Sequence, residues 1–245
     1  MELELVITEY GRESTVALFA DTCMEDEDLY RFLDESMKYL KMDLVTLADG
    51  RTPWQVFQDS KFIGNSRIDP CSRILKRELL NKWVRERFGP DECEVHFGID
   101  YSEKHRMERA AELNKPYKYR SMMTEQEIMV SREDKIKYCL TRGIKPPRLY
   151  EMGFAHNNCG GFCVKAGLAQ FKQLFEQMPE RYDRHVQQET ETRRKVPNAR
   201  PFLRKTVKGE KVYMWLSDYR DFLMSGEILE GEEKFDFGGC GCALE

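Results

Sequence analysis

TVALFADTCMEDEDLYRFLDESMKYLKMDLVTLAD (15–49) contains the pattern that decides the fold. Its first run, 15–21, and its last, 43–49, are short, apolar and end in aspartate, which is typical of buried parallel strands. Between them, residues 25–40 place apolar side chains at helical spacing. The stretch therefore predicts a strand, a helix and a second strand joined as a βαβ unit, with a mainly parallel sheet.

The rest of the first hundred residues continues this alternation. Residues 2–10 predict a short amphipathic helix, and another helix opens at Pro53, since proline is favoured in a first turn. A strongly helical stretch over 71–88 precedes a third apolar strand at 93–100. We therefore predict an α/β fold of the Rossmann-like type, with helices flanking a parallel sheet.

Beyond residue 100 the pattern becomes helical and then polar. Residues 124–142 predict one helix, because Thr124 and Glu127 have the spacing of a capping box. Residues 164–178 predict another. Residues 212–224 predict a strand that passes into a short helix.

Length and composition limit the class of protein. The 245 residues fit one α/β domain, assigned to 1–178, with a basic and cysteine-rich extension over 179–245. The net charge of −4 gives no global reason to expect nucleic acid or an anionic membrane as a partner. No apolar run approaches the roughly 18 residues of a membrane span, and no signal peptide is recognised, so we expect a cytoplasmic protein.

Clustered cysteines are the main chemical signal, because disulfides are rare in the reducing cytosol. Cys71 follows a proline at a helix start, Cys159 and Cys163 lie in NNCGGFC, and Cys240 and Cys242 lie in GGCGC. Thiolates are soft ligands that suit zinc or an iron–sulfur cluster. The first three cysteines with one of the tail pair make four ligands; alternatively, the tail pair is redox-active. The other three, interpreted as small buried residues, are Cys23, Cys93 and Cys139.

Basic residues accompany these cysteines. Arg73, Lys76 and Arg77 lie within two turns of Cys71, and Lys165 follows Cys163. Cations beside a thiolate lower its pKa and also attract phosphate or sulfate. The alternative interpretation of each cation is a solvated helix face.

A second basic region covers residues 181–211. It holds ten lysines and arginines against four acidic residues, a local balance of +6. Such a stripe predicts contact with a nucleic-acid backbone, although Tyr182, Phe202 and Tyr213 offer few stacking partners. The alternative interpretation is a mobile solvated segment.

Three segments together resemble one protein family. LFADTCMEDEDLYRFLDE (18–35), DPCSRILKRELL (69–80) and PPRLYEMGFAHNNCGGFCVKAG (146–167) are similar to blocks of the phosphoadenosine-phosphosulfate (PAPS) reductase-like family, within the adenine nucleotide α-hydrolase superfamily. The resemblance covers roughly residues 15–185 and the tail. It is nearest to a branch, frequent in bacteria and phages, that ends in GGCGC.

The resemblance implies a Rossmann-like domain that binds ATP or PAPS at the carboxyl ends of its strands. It also implies an iron–sulfur cluster, of the 4Fe–4S type. Cofactor contacts are expected from Asp21, Thr22, Asp100 and Arg73, although the two strand-end residues 21 and 22 also fit an ordinary turn. The cluster ligands are expected to be Cys71, Cys159, Cys163 and Cys240. The residues expected to act on the substrate are Cys242, Arg106 and Lys76.

One family motif is missing from the chain. The family starts with a strand and a Ser-Gly-Gly-x-x-Ser loop, whose backbone N–H groups cradle phosphate. No Ser-Gly-Gly occurs in this sequence. The difference predicts either a start codon upstream or a shortened form, and a shortened form loses a central strand of the sheet.

Three functions are compatible with these observations. The first is a PAPS reductase-like oxidoreductase or sulfur-metabolism protein, with an electron donor such as thioredoxin and a homo-oligomeric form among its expected partners. The second is an ATP-pyrophosphatase-type sulfur-transfer enzyme acting on DNA or RNA, for which 181–211 is the distinguishing feature. The third is a catalytically degenerate nucleotide-binding protein. No membrane partner is expected.

Overall fold

The computed structural model describes residues 1–207 and 210–226. Its described residues form a mixed α/β structure in which helices predominate. The helices are α1 (Glu2–Tyr10), α2 (Glu27–Leu40), α3 (Pro53–Asp59), α4 (Pro70–Ser72), α5 (Leu79–Arg85), α6 (Lys104–Leu113), α7 (Met122–Glu125), α8 (Arg132–Leu140), α9 (Arg148–Glu151), α10 (Leu168–Gln177), α11 (Pro179–Lys195) and α12 (Leu216–Ser225). The strands are β1 (Ala17–Asp21), β2 (Leu44–Ala48), β3 (Glu94–His96), β4 (Lys118–Arg120), β5 (Leu203–Val207) and β6 (Glu210–Met214).

The predicted βαβ unit is confirmed. β1 pairs in parallel with β2, from Ala17 opposite Leu44 to Asp21 opposite Ala48. α2 forms the crossover between them. It begins at the N-cap Asp26, whose carboxylate accepts a hydrogen bond from Asp28 N, and it ends where Lys41 adopts a left-handed conformation.

The single parallel sheet is not seen among the described residues. β3 and β4 form a separate parallel pair, and β5 and β6 form an antiparallel hairpin. The strand predicted over 93–100 is paired only at Glu94–His96. Such short strands offer few ladder hydrogen bonds, and no described strand joins β1 to β3, so the parallel strands remain two separate pairs.

The prediction of one helix over 124–142 is wrong. Glu127 has a φ of +55°, which a continuing α-helix does not allow. α7 ends before it, and α8 starts again from Ser131, whose hydroxyl and backbone form a capping box with Asp134. The capping-box spacing was therefore present in the sequence twice, and the second copy is the one that the chain uses.

Residues 179–195 form α11, so this half of the basic region is not a mobile segment. Tyr182 and Val186 of α11 are buried in the largest core cluster, together with Trp54, Phe162 and Leu216 from elsewhere in the chain. This core therefore includes residues from both sides of position 178. The predicted strand and helix over 212–224 are confirmed as β6 and α12. None of the described helices combines the length and apolarity needed to cross a bilayer.

A buried ion-pair network ties these elements together around Asp26. The Asp26 side chain is fully buried and accepts hydrogen bonds from Arg148 of α9 at 2.8 and 2.9 Å. It accepts another from Arg181 of α11 at 2.7 Å. These cations hold the pKa of Asp26 below its usual value against the opposing effect of burial. One carboxylate thus joins α2, α9 and α11.

Replacing Asp26 by alanine is expected to lower the free energy of unfolding by about 3–5 kcal/mol, because it leaves two arginines without their buried partner. Urea unfolding followed by circular dichroism measures the loss. Asp34→Ala is the matched control on the same helix. Its carboxylate pairs with Lys38 in solvent, so a change within about 0.5 kcal/mol is expected. Equal losses in the two variants would contradict the structural role given to Asp26.

Candidate functional site

Three of the predicted ligand cysteines line one small cavity. Cys71, Cys159 and Cys163 face it together with Lys76, and Thr22 closes it at the carboxyl end of β1. We call this space the cysteine cavity. Its volume is about 20 Å³. The cysteines come from two segments nearly ninety positions apart, so tertiary folding has brought them together.

The helix that carries Cys71 and Lys76 to the same cavity is not regular. α4 continues through a π-helical stretch, Arg73–Glu78, into α5. In an ideal α-helix, residues five apart point roughly 140° away from each other. The hydrogen bonds of a π-helix instead join residues five apart, which brings their side chains closer to one face. Pro70 at the start of α4 fixes the entry to this helix.

A left-handed turn over Asn158–Gly161 presents Cys159. Cys159 and Gly160 have φ values of 47° and 63°. The backbone N–H of Cys159 donates to the Glu25 carboxylate at 2.7 Å, and Arg181 donates to the carbonyl of Gly160 at 2.9 Å. The turn is thereby fixed to the segment after β1 and to the Asp26 network.

Lys76 is a nearly buried cation within this group of thiols. Its side chain is 16% exposed, and its ammonium lies 3.6 Å from the carboxylate of Glu25, which is 2% exposed. Thr22 also donates to Glu25, at 2.9 Å. Burial alone would lower the pKa of Lys76, but the negative charges of ionised Cys159, of Glu25 and of the other two cysteines when ionised outweigh this effect and raise it. The lysine therefore stays charged inside the cavity.

Burial raises the pKa values of the three thiols, whereas it acts to lower the pKa of Lys76. Burial raises the pKa of Cys71 to about 12, and the nearby Cys163 and Asp69 add to this rise. The pKa values of Cys159 and Cys163 are also raised, chiefly by burial. Without a bound cation the three side chains are neutral thiols, and binding a metal would release their protons.

The donor set suits a soft metal, whereas the geometry is not that of a closed metal site. Within residues 1–207 and 210–226, no three His, Cys, Asp or Glu side chains are already arranged to hold an ion. A cavity of about 20 Å³ accommodates one water-sized atom, so a cluster of several irons requires its walls to separate. The predicted fourth ligand, Cys240, and the predicted nucleophile, Cys242, lie outside the described residues.

The other predicted site residues are not gathered at this cavity. Arg73 is paired with Glu78 in solvent, at 2.8 Å. Asp21, although adjacent to Thr22, accepts hydrogen bonds from the Tyr30 hydroxyl and from Cys23 N.

Asp100 and Arg106 lie in another part of the structure. Asp100 caps the turn before α6 and pairs with Lys135 at 3.1 Å. It lines a separate cavity of about 380 Å³. Arg106 pairs with Glu103 one turn earlier. Of the residues predicted to contact the nucleotide, only Thr22 shares a cavity with the cysteines.

Two groups beside the cavity were missed or underrated by sequence reasoning. Glu25 was not singled out, although its position three residues after Thr22 was the available signal. Both polar atoms of the Asn157 side chain are buried with no partner among the described residues. Nδ1 of His156 is in the same state, and Lys76 together with burial lowers the pKa of this histidine. Buried polar atoms of this kind call for a water or ligand.

Comparison with known proteins identifies no relative: no family model, curated protein or solved structure matches the chain.

The turn that presents Cys159 gives a test of the site's construction. In Gly160→Ala, the new Cβ would lie 2.9 Å from a guanidinium nitrogen of Arg181 and 3.0 Å from the carbonyl oxygen of Met24. Gly143→Ala is the control, since Gly143 has a similar φ of +70° but open space around it. We expect the control to lose about 1 kcal/mol from backbone strain. The Gly160 variant should lose at least about 2 kcal/mol more, because Arg181 must move. Thermal or urea unfolding compares them, and equal losses would contradict the close packing of this turn.

Proposed function

We propose that this protein is a PAPS reductase-like protein of sulfur metabolism that binds an iron–sulfur centre in the cysteine cavity. The observation that carries the proposal is the convergence of Cys71, Cys159 and Cys163 on one cavity beside the buried cation Lys76. The resemblance of three sequence blocks to that family supports it, as does the parallel βαβ unit whose carboxyl end borders the cavity. A Rossmann-like sheet and a cluster of the 4Fe–4S type belong to the proposal.

Electrostatics favours a thiolate-bound centre over three inert core cysteines. A buried lysine is costly unless negative charge faces it. Glu25 provides one such charge at 3.6 Å. Thiolates bound to a cationic centre would provide more, and Lys76 would offset their excess negative charge. Bound there, the centre would supply one-electron redox chemistry. Lys76 and Glu25 would set the charge around it, and Phe162 and Val164 would limit the access of water.

The nucleotide part of the proposal concerns the same end of β1. Thr22 and Lys76 border the cysteine cavity, so an adenylyl nucleotide placed over it would meet a hydroxyl and a cation. Lys165, paired with Asp69 at 3.5 Å, adds a second cation on the cavity wall. Cations of this kind suit the sulfate or phosphate groups of ATP or PAPS.

Anaerobic purification of the full chain, followed by iron and acid-labile sulfide analysis, tests the metal centre. We expect iron and sulfide in similar amounts and a brown colour, both lost in Cys159→Ala and in Cys163→Ala. Cys93→Ala is the control, because this cysteine is not among the residues that line the cavity and its replacement should leave both contents unchanged. Zinc without sulfide would show that the cavity binds a structural metal and would contradict the iron–sulfur centre. Metal-free protein after reconstitution, or equal losses in the control, would contradict the proposal.

Calorimetric titration with ATP and with PAPS tests the nucleotide site. Thr22→Val is expected to weaken binding about fivefold, since it removes one polar contact at the cysteine cavity. Asp100→Asn should leave the affinity unchanged, because Asp100 borders the other cavity. Weaker binding in Asp100→Asn but not in Thr22→Val would indicate that the nucleotide binds in that second cavity. If neither ATP nor PAPS binds, this part of the proposal is contradicted.

A further inference from the structure

The hairpin β5–β6 presents two different faces. Leu203 and Met214, opposite each other in the register, are buried in the core. Side chains alternate along a strand, so Arg204 on β5, together with Lys211 and Tyr213 on β6, lies on the other face. Arg204 is directly opposite Tyr213. All three of these side chains are exposed.

The end of α11 extends this face. Trp215, which directly follows Met214 of β6, is half-buried and packs against the largest core cluster. The guanidinium of Arg193, in the last turn of α11, lies 4.0 Å from the centre of the Trp215 ring. We define the hairpin face as Arg193, Arg204, Lys211, Tyr213 and Trp215.

The cations of the hairpin face have no described acidic partner. Arg148 and Arg181, elsewhere in the chain, each form ion pairs with two carboxylates. In the part of the chain that the structure describes, Arg193, Arg204 and Lys211 pair with none. Among the described residues, this acidic protein with a net charge of −4 thus concentrates positive charge on one small surface, where Arg193 alone has a carboxylate, that of Glu189, close enough to interact with it.

Exposed aromatic rings lie among these cations. Tyr213 is 53% exposed, although a tyrosine usually buries much of its ring. It lies next to Arg204 across the hairpin and two residues from the Trp215–Arg193 stack. Rings flanked by guanidinium groups can stack with nucleobases while the cations contact phosphates.

We propose that the hairpin face binds single-stranded nucleic acid. The exposed Tyr213 ring favours a single strand over a duplex, whose bases are already stacked. A membrane surface fits less well, because the Trp215 ring is covered by Arg193 and the only exposed apolar aliphatic neighbour on β6 is Val212. The inference is independent of the metal centre, since the hairpin face contains none of the residues that line the cysteine cavity.

The structure also shows that some cations of the basic region 181–211 are engaged in contacts within the protein. Arg181 is buried against Asp26, and Lys195 is bound to Glu191 and Gln58. Neither is free to bind a polyanion as the hairpin-face cations are. The proposed contact is therefore a defined surface and not the whole stretch 181–211.

Fluorescence anisotropy of a labelled single-stranded oligonucleotide, titrated with the full chain over a range of salt concentrations, tests the proposal. Affinity falls as the salt concentration rises, so the slope of log affinity against log salt is negative. In the variant R193Q/R204Q/K211Q this slope should become shallower by about 2, because three phosphate contacts are lost. R109Q/K118Q/K137Q is the matched control. It removes the same charge from exposed positions on α6, β4 and α8, and should leave the slope unchanged.

Tyr213 separates stacking from general charge attraction. Tyr213→Ala should weaken binding about tenfold with an unchanged salt slope, and Tyr213→Phe should restore the affinity. Equal weakening in the two triple variants, no effect of Tyr213→Ala, or tighter binding to a duplex of the same sequence would overturn the proposal. So would stronger binding to phosphatidylserine vesicles than to the oligonucleotide.

Discussion

The buried carboxylate of Asp26 is the constraint on which the site depends. It caps α2 and is ion-paired with Arg148 and Arg181, so the crossover helix, α9 and α11 keep fixed positions. Arg181 also holds the carbonyl of Gly160, which places the turn that presents Cys159. Since unpaired charges are costly in a protein interior, this network is formed completely or the surrounding packing is lost. The cysteine cavity is therefore positioned by ion pairs as well as by its apolar walls.

Charge distribution explains why the cavity is more than a gap between core residues. The ammonium of Lys76 faces the buried carboxylate of Glu25, while burial keeps each of the three thiols protonated. A cationic metal centre would reverse this state by converting the thiols to thiolates, and Lys76 would then balance the added negative charge. The residues that line the cavity would thus also balance the charge of a bound centre.

Sequence patterns predicted what depends on local order. The βαβ unit over 15–49 followed from alternating apolar runs, and the grouping of Cys71 with Cys159 and Cys163 followed from their glycine-rich and proline-flanked contexts. The break at Glu127 was not predicted, because the sequence offers two capping-box spacings there. The Thr124 hydroxyl donates to the carbonyl of Ile99 instead, and the chain uses the second spacing, at Ser131 and Asp134. The split of the parallel strands into pairs also depends on contacts between distant segments.

The count of charged residues over 181–211 also could not show which of them face one another in the fold. A net balance of +6 over 181–211 could not distinguish Arg181, which is buried in an ion-pair network, from Arg204, which is exposed beside Tyr213. Glu25 was likewise missed, because its pairing with the buried Lys76 depends on contacts between distant segments. Sequence therefore indicated which residue types take part, and the structure determined which of them face one another.

The most direct test of the central claim is an anomalous-scattering crystal structure of the anaerobically prepared protein, with data collected at the iron edge. The account predicts an iron peak bonded to the sulfurs of Cys71, Cys159 and Cys163, with the ammonium of Lys76 close by. Iron bound away from these sulfurs, or three cysteines that open onto different cavities, would contradict it.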